Sequence, residues 1–268
     1  MPEEKFAVSR DGTRLFYVRH GTGAKRFALT HSLAMTGTFW TDVVDLLGNE
    51  ANVITWDCRG HGRSDKPAGA YTVEQFADDL AAVLDDAGWP DAVIAGASMG
   101  GCVSIAFAIR HPDRVRALGL FDTTASYGSQ APQDWEKRAT KAKTEGLASL
   151  TAFQQTRWFS DRFRDARPDV VASCVETFRA NDVDAFVETC RMLGRADLTK
   201  QLGTLKMPTV ILVGEEDYAT PPAMAEAMHA AIRGSSMEVI PGARHLTPIE
   251  CPELIAERLH ALAEGDAA

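Results

Sequence analysis

The chain contains 268 residues, 45% of them hydrophobic, and carries a formal net charge of −9. This length and apolar content suit one large domain with a sizeable core. The acidic balance, without blocks of like charge, disfavours nucleic acids and anionic membrane surfaces as partners. Because the first residues lack a signal-peptide pattern and no apolar run reaches the length of a membrane span, we expect a cytoplasmic protein.

The cysteines do not form a recognisable framework. Cys58, Cys102, Cys174, Cys190 and Cys251 are odd in number and widely scattered, with no C-x-x-C pair. Disulfide scaffolds and zinc sites place their cysteines at short, regular spacings. We therefore expect five reduced thiols rather than a disulfide or a metal site.

The first half of the chain alternates short apolar runs with helical patterns. The predicted elements are a hairpin over 6–20 with its turn at Asp11-Gly12, strands over 27–30 and 52–56, a helix over 43–47, a glycine-rich loop over 59–65, a helix from Thr72 to Gly88, and a strand over 92–97. Thr72 and Gln75 have the spacing of a capping box, which marks the beginning of a helix. The alternation predicts an α/β fold.

The second half predicts a helical insertion followed by a return of strands. After a strand over 117–121, residues 124–205 show apolar residues at helical spacing and no convincing strand. Strands at 208–214 and 237–240 and helices at 222–232 and 252–264 follow, with a frayed tail at 265–268. We therefore predict a mainly parallel eight-stranded sheet with helices on both faces. Residues 1–123 and 206–268 would form its core, and residues 124–205 a helical cap over the carboxyl ends of the strands.

One short motif lies where such a sheet places its ligands. Gly96-Ala97-Ser98-Met99-Gly100 is a G-x-S-x-G match between an apolar strand and a helix. A serine at such a tight strand-to-helix turn exposes its hydroxyl at the sheet edge and needs small neighbours. Ser98 is therefore the candidate nucleophile, at the carboxyl end of a strand.

A serine nucleophile needs a base, and the base needs an orienting carboxylate. Asp217 and His245 follow the last two predicted strands, so the order Ser98, Asp217, His245 matches nucleophile, acid and base. Glu215 and Glu216 lie in the same loop and are rivals to Asp217. Each residue alone also fits an ordinary role: Ser98 in a tight turn, Asp217 as a helix cap and His245 in a loop.

The tetrahedral intermediate of acyl transfer needs two preorganised hydrogen-bond donors. The backbone N–H of Met99, next to the nucleophile, is one candidate for this oxyanion hole. The N–H of Leu33 is the other, because small neighbours, Ser32 and Ala34, would let that loop approach Ser98. An ordinary surface turn is the alternative interpretation of this loop.

With these residues in place, the chain resembles the α/β-hydrolase superfamily. The matching segments are His31-Ser32-Leu33, Asp57 to Ser64, Gly96 to Gly101, Gly214 to Asp217 and Gly242 to His245. Within the superfamily it is most similar to 3-oxoadipate enol-lactonases, on the segments Ser32-Leu33, Trp40, Arg59 to Asp65, Trp135, Trp158-Phe159, Cys190 to Leu198 and Gly242 to Leu246. Those lactonases tend to have Asn at the position of His31 and Gly at that of Ala34, which puts the shape of the acyl pocket in question.

The resemblance implies hydrolysis of a small lactone through an acyl-enzyme on Ser98, with neither metal nor cofactor. A carboxylesterase, or a hydrolase of a carbon–carbon bond in a ring-fission product, would keep the same three residues. Dehalogenases and epoxide hydrolases resemble the chain but place Asp where Ser98 stands. A non-catalytic receptor that retains the pocket is a further alternative.

Such a lactone would carry a free carboxylate, which a half-buried arginine would bind. The arginines of the predicted cap are Arg138, Arg157, Arg179, Arg191 and Arg195. We favour Arg138, one helical turn from Trp135, and then Arg191, with Trp135 and Trp158 as further substrate-binding residues. The expected partner is thus a small molecule, and the sequence is compatible with a homo-oligomer.

Overall fold

The computed structural model describes residues 2–265, which form eight strands and eleven α-helices. The strands are β1 Glu3–Val8, β2 Arg14–His20, β3 Lys25–Thr30, β4 Ala51–Trp56, β5 Ala92–Ala97, β6 Val115–Phe121, β7 Thr209–Gly214 and β8 Ser235–Ile240. The helices are α1 Thr41–Leu47, α2 Val73–Asp86, α3 Met99–Arg110, α4 Ala131–Glu145, α5 Thr151–Trp158, α6 Asp161–Ala166, α7 Pro168–Arg179, α8 Val183–Arg195, α9 Pro222–Ala231, α10 Thr247–Glu250 and α11 Pro252–Glu264.

The strands form one sheet in the order β1-β2-β4-β3-β5-β6-β7-β8. β2 pairs antiparallel with β1 and β4, and every other neighbouring pair is parallel. Every residue of β4, β5 and β7 is buried, as in strands covered on both faces. α3 and α11 both pack against the central strands. The prediction of a mainly parallel, eight-stranded α/β sheet is confirmed.

Several strands begin earlier than their apolar patterns indicate. β3 begins at Lys25 and β8 at Ser235, two residues before the predicted starts. Lys25 pairs with Ala51 in the ladder while its side chain stays partly exposed. Backbone pairing does not depend on side-chain polarity, so an apolar pattern misses polar strand ends. At the other terminus, Gly265 ends α11 in a left-handed conformation, and residues 266–268 of the predicted tail lie outside the described residues.

Between β6 and β7 the chain forms the five helices α4 to α8 and short 3-10 turns, which we call the helical insertion (residues 124–205). α4 packs along α8. An isolated β-bridge between Ser126 and Asp197 joins the two ends of the segment. That this insertion forms a subdomain separate from the core stays a prediction.

A buried ion pair fixes the glycine-rich loop that follows β4. Arg59 donates from Nε and Nη2 to the two carboxylate oxygens of Asp79 on α2, at 2.6 Å each. Its Nη1 donates to Asp11 in the β1–β2 turn at 2.8 Å. Both Arg59 and Asp79 are buried. The hairpin, the loop and α2 are therefore joined through one guanidinium group.

Two further features concern the state of the cysteines and the character of the helices. All five cysteines are free, and burial raises the pKa of Cys102 to about 11 and those of Cys174 and Cys190 to about 12. No helix within residues 2–265 combines the length and the apolar character that crossing a membrane requires.

Candidate active site

Ser98 occupies the turn between β5 and α3 with φ 53° and ψ −117°, a strained conformation for a residue with a side chain. The turn is tight enough to exclude side chains at the two motif glycines. A Cβ on Gly96 would lie 2.1 Å from the Gly100 carbonyl oxygen, and one on Gly100 would lie 2.1 Å from the Thr30 carbonyl oxygen. The glycines of G-x-S-x-G are therefore required by close backbone packing around the serine.

Ser98, His245 and Asp217 form a continuous hydrogen-bonded chain. His245 Nε2 lies 2.8 Å from Ser98 Oγ, and His245 Nδ1 lies 2.8 Å from Asp217 Oδ2. All three residues are buried. This geometry lets the imidazole take a proton from the serine while the carboxylate holds the ring in place.

Asp217 is held as an ionised carboxylate. Its Oδ1 accepts from the N–H groups of Ala219 at 2.7 Å and Thr220 at 2.9 Å, and its Oδ2 accepts from the Thr220 hydroxyl at 2.8 Å. Burial raises the pKa of Asp217, but the charge and hydrogen bond of His245 and the Thr220 donors outweigh burial, so the pKa lies below its usual value. Thr220 is a contributor that the sequence did not single out.

The rival carboxylates face elsewhere. Glu215 accepts from the Gly242 N–H at 2.9 Å, and Glu216 pairs with Arg244 at 3.1 Å. Because both are engaged outside the serine–histidine contact, Asp217 is the carboxylate that reaches His245.

One candidate oxyanion donor, Met99, directly follows the nucleophile, and the other, Leu33, lies in the loop after β3. Met99 is the first residue of α3, and the first amides of a helix have no acceptor within it. Leu33 lines the same cavity as Ser98, as does Ser32. In this loop the Met35 N–H donates to the Ser32 carbonyl at 3.1 Å, and Ala34 has φ 61°.

A cavity of about 560 Å³ opens above Ser98 and His245, within the roughly 300–1,000 Å³ usual for small-molecule sites. The helical insertion supplies most of its wall. Three of the predicted substrate-binding residues, Trp135, Arg138 and Trp158, line it. Arg157, one of the other candidate arginines, lines it too.

Of the two arginines that line the cavity, Arg157 donates to the Tyr218 carbonyl at 2.9 Å, whereas Arg138 has no such contact in the described part of the chain. Its Nε is buried without a hydrogen-bond partner, and no acidic side chain within residues 2–265 forms an ion pair with it. The guanidinium carbon lies 5.2 Å from the centre of the Trp135 ring. Burial lowers the pKa of Arg138. A half-buried guanidinium without an ion-pair partner among residues 2–265 can bind an anion.

The structure places Arg191, the second arginine predicted to bind substrate, in an ion-pair cluster outside the cavity. Arg191 does not line the cavity, because Glu136 accepts from its Nε and Nη2 at 2.8 Å each and Glu188 accepts from its Nη1 at 2.7 Å. Arg195 donates to the Tyr71 carbonyl, and Arg179 is exposed. A helical pattern shows which residues face inward but not which acidic side chains will meet an arginine.

Two residues near the centre had not been singled out. Tyr127 lines the cavity together with Ser98, and its ring packs edge-on against Trp135 with the centres 5.1 Å apart. Asp122, which directly follows β6, accepts from the N–H of Gly214 at 3.1 Å and of Thr247 at 2.8 Å. Burial, and then the charge of Asp217, raises the pKa of Asp122. The position of Asp122 at the carboxyl end of β6 is the sequence signal that could have identified this residue.

The loop that carries His245 is attached to the helical insertion. Arg244 Nη1 donates to the carbonyls of Thr156 at 2.9 Å and Phe159 at 3.0 Å, and the Leu246 N–H donates to the Trp158 carbonyl at 3.0 Å. The insertion therefore binds both sequence neighbours of the candidate base His245 as well as forming the cavity wall.

Comparison with known proteins agrees with this architecture. The family profile of the alpha/beta hydrolase fold matches residues 25–252. The chain is 30% identical over 247 residues to 3-oxoadipate enol-lactonase 1 of Acinetobacter baylyi, covering 92% of this chain and 91% of the relative. The enol-lactonase of Burkholderia xenovorans superposes with a TM-score of 0.92 at 31% identity, covering 97% of this chain and 100% of the other.

A thermophilic esterase from Thermogutta terrifontis superposes equally well, with a TM-score of 0.92 at 29% identity over 99% of this chain and 100% of the other. Relatives thus include lactonases and esterases, and the expected resemblance to the enol-lactonases is confirmed. From the profile match and these superpositions we conclude that the chain belongs to the α/β-hydrolase fold family and is a hydrolase.

Proposed function

We propose that the protein is a serine hydrolase that cleaves a small carboxylic ester or lactone through an acyl-enzyme on Ser98. The observation that carries this proposal is the His245 ring, placed 2.8 Å from both Ser98 Oγ and Asp217 Oδ2. A neutral imidazole so placed can take the serine proton as the oxygen attacks, and the carboxylate stabilises the cation that forms.

The proposed reaction has two halves. Ser98 Oγ bonds to the acyl carbon while His245 takes its proton, and the N–H groups of Leu33 and Met99 bind the oxyanion. The bond from the acyl carbon to the leaving oxygen then breaks, and the proton on His245 passes to the leaving group. Water, deprotonated by His245, attacks the acyl-enzyme, and the proton returns to Ser98 as the acid is released.

For the substrate we propose an enol-lactone that bears a carboxylate, of the 3-oxoadipate enol-lactone type. Arg138 supports this choice, because its guanidinium lines the cavity with a buried Nε that has no partner among the described residues. The named activity of the lactonase relatives points the same way. Expulsion of an enolate, which becomes a ketone, needs less help from an acid than expulsion of an alkoxide.

A carboxylesterase is the second candidate, and one observation favours it. The cavity extends along α4 past Arg138 to Lys137 and Lys141, and reaches the exposed Phe153. That outer part gives room for an acyl or alcohol group longer than a small lactone offers. The similarity to an esterase over almost the whole chain supports the same alternative.

The nucleophile is tested by Ser98→Ala assayed on p-nitrophenyl butyrate. We expect kcat to fall by about 10⁴-fold or more, since nucleophile and base act as one unit. A serine-reactive aryl phosphonate should label the wild type once, at Ser98, and leave the variant unlabelled. Circular dichroism and thermal unfolding are the control for folding. Activity near that of the wild type in Ser98→Ala would remove Ser98 from the mechanism.

The substrate class is tested by comparing kcat/KM for three compounds on one preparation: 3-oxoadipate enol-lactone, the corresponding lactone methyl ester without a free carboxylate, and p-nitrophenyl butyrate. We expect the charged lactone to be the best of the three. If kcat/KM for p-nitrophenyl butyrate exceeds that for both lactones, the carboxylesterase proposal replaces the lactonase proposal while the role of Ser98 stands.

A further inference from the structure

His31 lies directly before the loop that carries the candidate oxyanion donor Leu33. Its ring is completely buried, with Nδ1 2.7 Å from the Ser32 carbonyl oxygen and Nε2 3.0 Å from the Cys58 nitrogen. The ring of His61 packs against it, with the ring centres 5.0 Å apart. His31 does not line the cavity, so it cannot touch a substrate there.

The two contacts of the ring fix its proton. The Cys58 N–H can only donate, so Nε2 must offer its lone pair. The Ser32 carbonyl can only accept, so Nδ1 must carry the hydrogen. Burial lowers the pKa of His31 to about 4, which keeps the ring neutral in this one tautomer at pH 7.

The Ser32 carbonyl belongs to the same peptide unit as the Leu33 N–H. A trans peptide is planar, and its C=O and N–H point in opposite directions. The carbonyl is held by two donors, His31 Nδ1 at 2.7 Å and the Met35 N–H at 3.1 Å. Ala34, at φ 61°, has the positive φ that the second central residue of a type II turn requires. Fixing the carbonyl therefore fixes the direction of the Leu33 N–H.

We propose that His31 is a positioning residue for the oxyanion hole: its Nδ1–H holds the Ser32 carbonyl so that the Leu33 N–H faces the oxygen of the acyl group that Ser98 attacks. This inference rests on the proposed function, because it needs Leu33 to donate to an oxyanion. The Cys58 contact anchors the far side of the ring to the chain that follows β4. His31 thus acts through the backbone of Leu33.

Two substitutions separate the two nitrogens of the ring. In His31→Asn the amide nitrogen takes the place of Nδ1 and can still donate to the Ser32 carbonyl. The Cys58 N–H, however, loses its acceptor. In His31→Gln the amide oxygen takes the place of Nε2 and accepts from Cys58, but the donor to Ser32 is lost. Each variant loses one buried hydrogen bond of the ring, so the two differ in which hydrogen bond is lost rather than in how many.

The readouts are kcat and KM for p-nitrophenyl butyrate and the Ki of a trifluoromethyl ketone, which forms a tetrahedral oxyanion adduct on the serine. For His31→Gln we expect kcat to fall about 10- to 100-fold, less than deletion of a whole donor costs, with KM changed by about twofold at most. The Ki should rise in parallel with the fall in kcat. For His31→Asn we expect both constants to stay within about threefold of the wild type.

Equal losses of kcat in both variants, or an unchanged kcat in His31→Gln, would overturn the proposal and leave His31 a purely structural residue. Should His31→Gln fail to fold, His31→Asn decides alone: a tenfold loss of kcat with a Ki raised to match overturns it. Failure of the proposed function is seen separately, in wild-type protein that neither cleaves the ester nor takes up the phosphonate at Ser98.

Discussion

At the scale of single residues, the orientation of His245 depends on one carboxylate. Asp217→Asn keeps the shape of the side chain but places an amide against Nδ1, which favours the wrong tautomer. We expect kcat for p-nitrophenyl butyrate to fall by about 10³- to 10⁴-fold. Glu216→Gln is the control, since Glu216 pairs with Arg244 rather than with His245, and it should leave kcat nearly unchanged. The reverse ranking of the two variants would make Glu216 the acid.

Arg138 combines a proposed role in binding with a cost in stability. In Arg138→Leu we expect KM for a carboxylate-bearing lactone to rise about 10- to 100-fold, as loss of a charged hydrogen bond of about 1.5–3 kcal/mol predicts. KM for a neutral ester should not change. Removal of a half-buried cation whose buried Nε has no hydrogen-bond partner should leave the melting temperature equal or higher.

The control for this variant is Arg191→Leu, because Arg191 is bound to Glu136 and Glu188 away from the cavity. Steady-state kinetics on both substrates and thermal unfolding of both variants provide the measurements. A KM for the carboxylate-bearing lactone that Arg138→Leu leaves unchanged would show that another group receives the carboxylate.

How far single residues could be predicted depended on where they lie. Ser98, Asp217 and His245 each follow a strand, and strand ends of a parallel sheet converge, so the sequence predicted their proximity. Tyr127 lies in a segment without strands, where no such rule applies. The ion pairing of Arg191 could not be predicted for a related reason: its partner Glu136 belongs to another helix, and the α4–α8 packing is absent from a pattern along one helix.

At the scale of elements, the Arg59–Asp79 pair is the contact whose loss should cost most. Asp79→Ala would leave a buried guanidinium with only Asp11, and we expect the free energy of unfolding to fall by about 3–5 kcal/mol. The matched surface pair is Arg63–Glu4, whose side chains are both more than half exposed. Glu4→Ala should cost less than about 1 kcal/mol. Urea unfolding of both variants at pH 7 makes the comparison, and equal losses would contradict it.

Elements were predicted well wherever they bury a regular apolar pattern. β4, β5 and β7 are buried along their whole length, and their predicted centres agree with the structure. Polar strand ends such as Lys25-Arg26 were missed, because they pair through the backbone alone. The insertion was predicted as helical, but how its five helices pack could not be derived, since helix packing depends on contacts distant in sequence.

At the scale of the whole molecule, buried neutral histidines make stability depend on pH. Burial lowers the pKa of His31 to about 4 and that of His61 to about 3, against about 6.5 in an unfolded chain. Between these limits the unfolded chain binds protons that the folded protein does not, so stability falls as the pH falls. Each histidine contributes a slope of about 1.4 kcal/mol per pH unit between roughly pH 6 and pH 4.

His31→Asn provides the measurement of that slope. Asparagine does not titrate, so unfolding of the variant should take up about one proton fewer than unfolding of the wild type. Its unfolding free energy should therefore fall less steeply as the pH falls. Urea unfolding at half-unit steps from pH 7 to pH 4 gives both slopes. Parallel curves would show that His31 titrates normally in the folded protein.

The attachment of the helical insertion to the His245 loop has a consequence for recombination. Arg244 and Leu246 bind carbonyls of residues 156–159, and Ser160 is hydrogen-bonded to Glu250. A chimera that receives residues 124–205 from a relative would therefore bring a new cavity against an unmatched base loop. We therefore expect the segments 124–205 and 244–250 to act together, and libraries that exchange both should retain more active members than libraries that exchange the insertion alone.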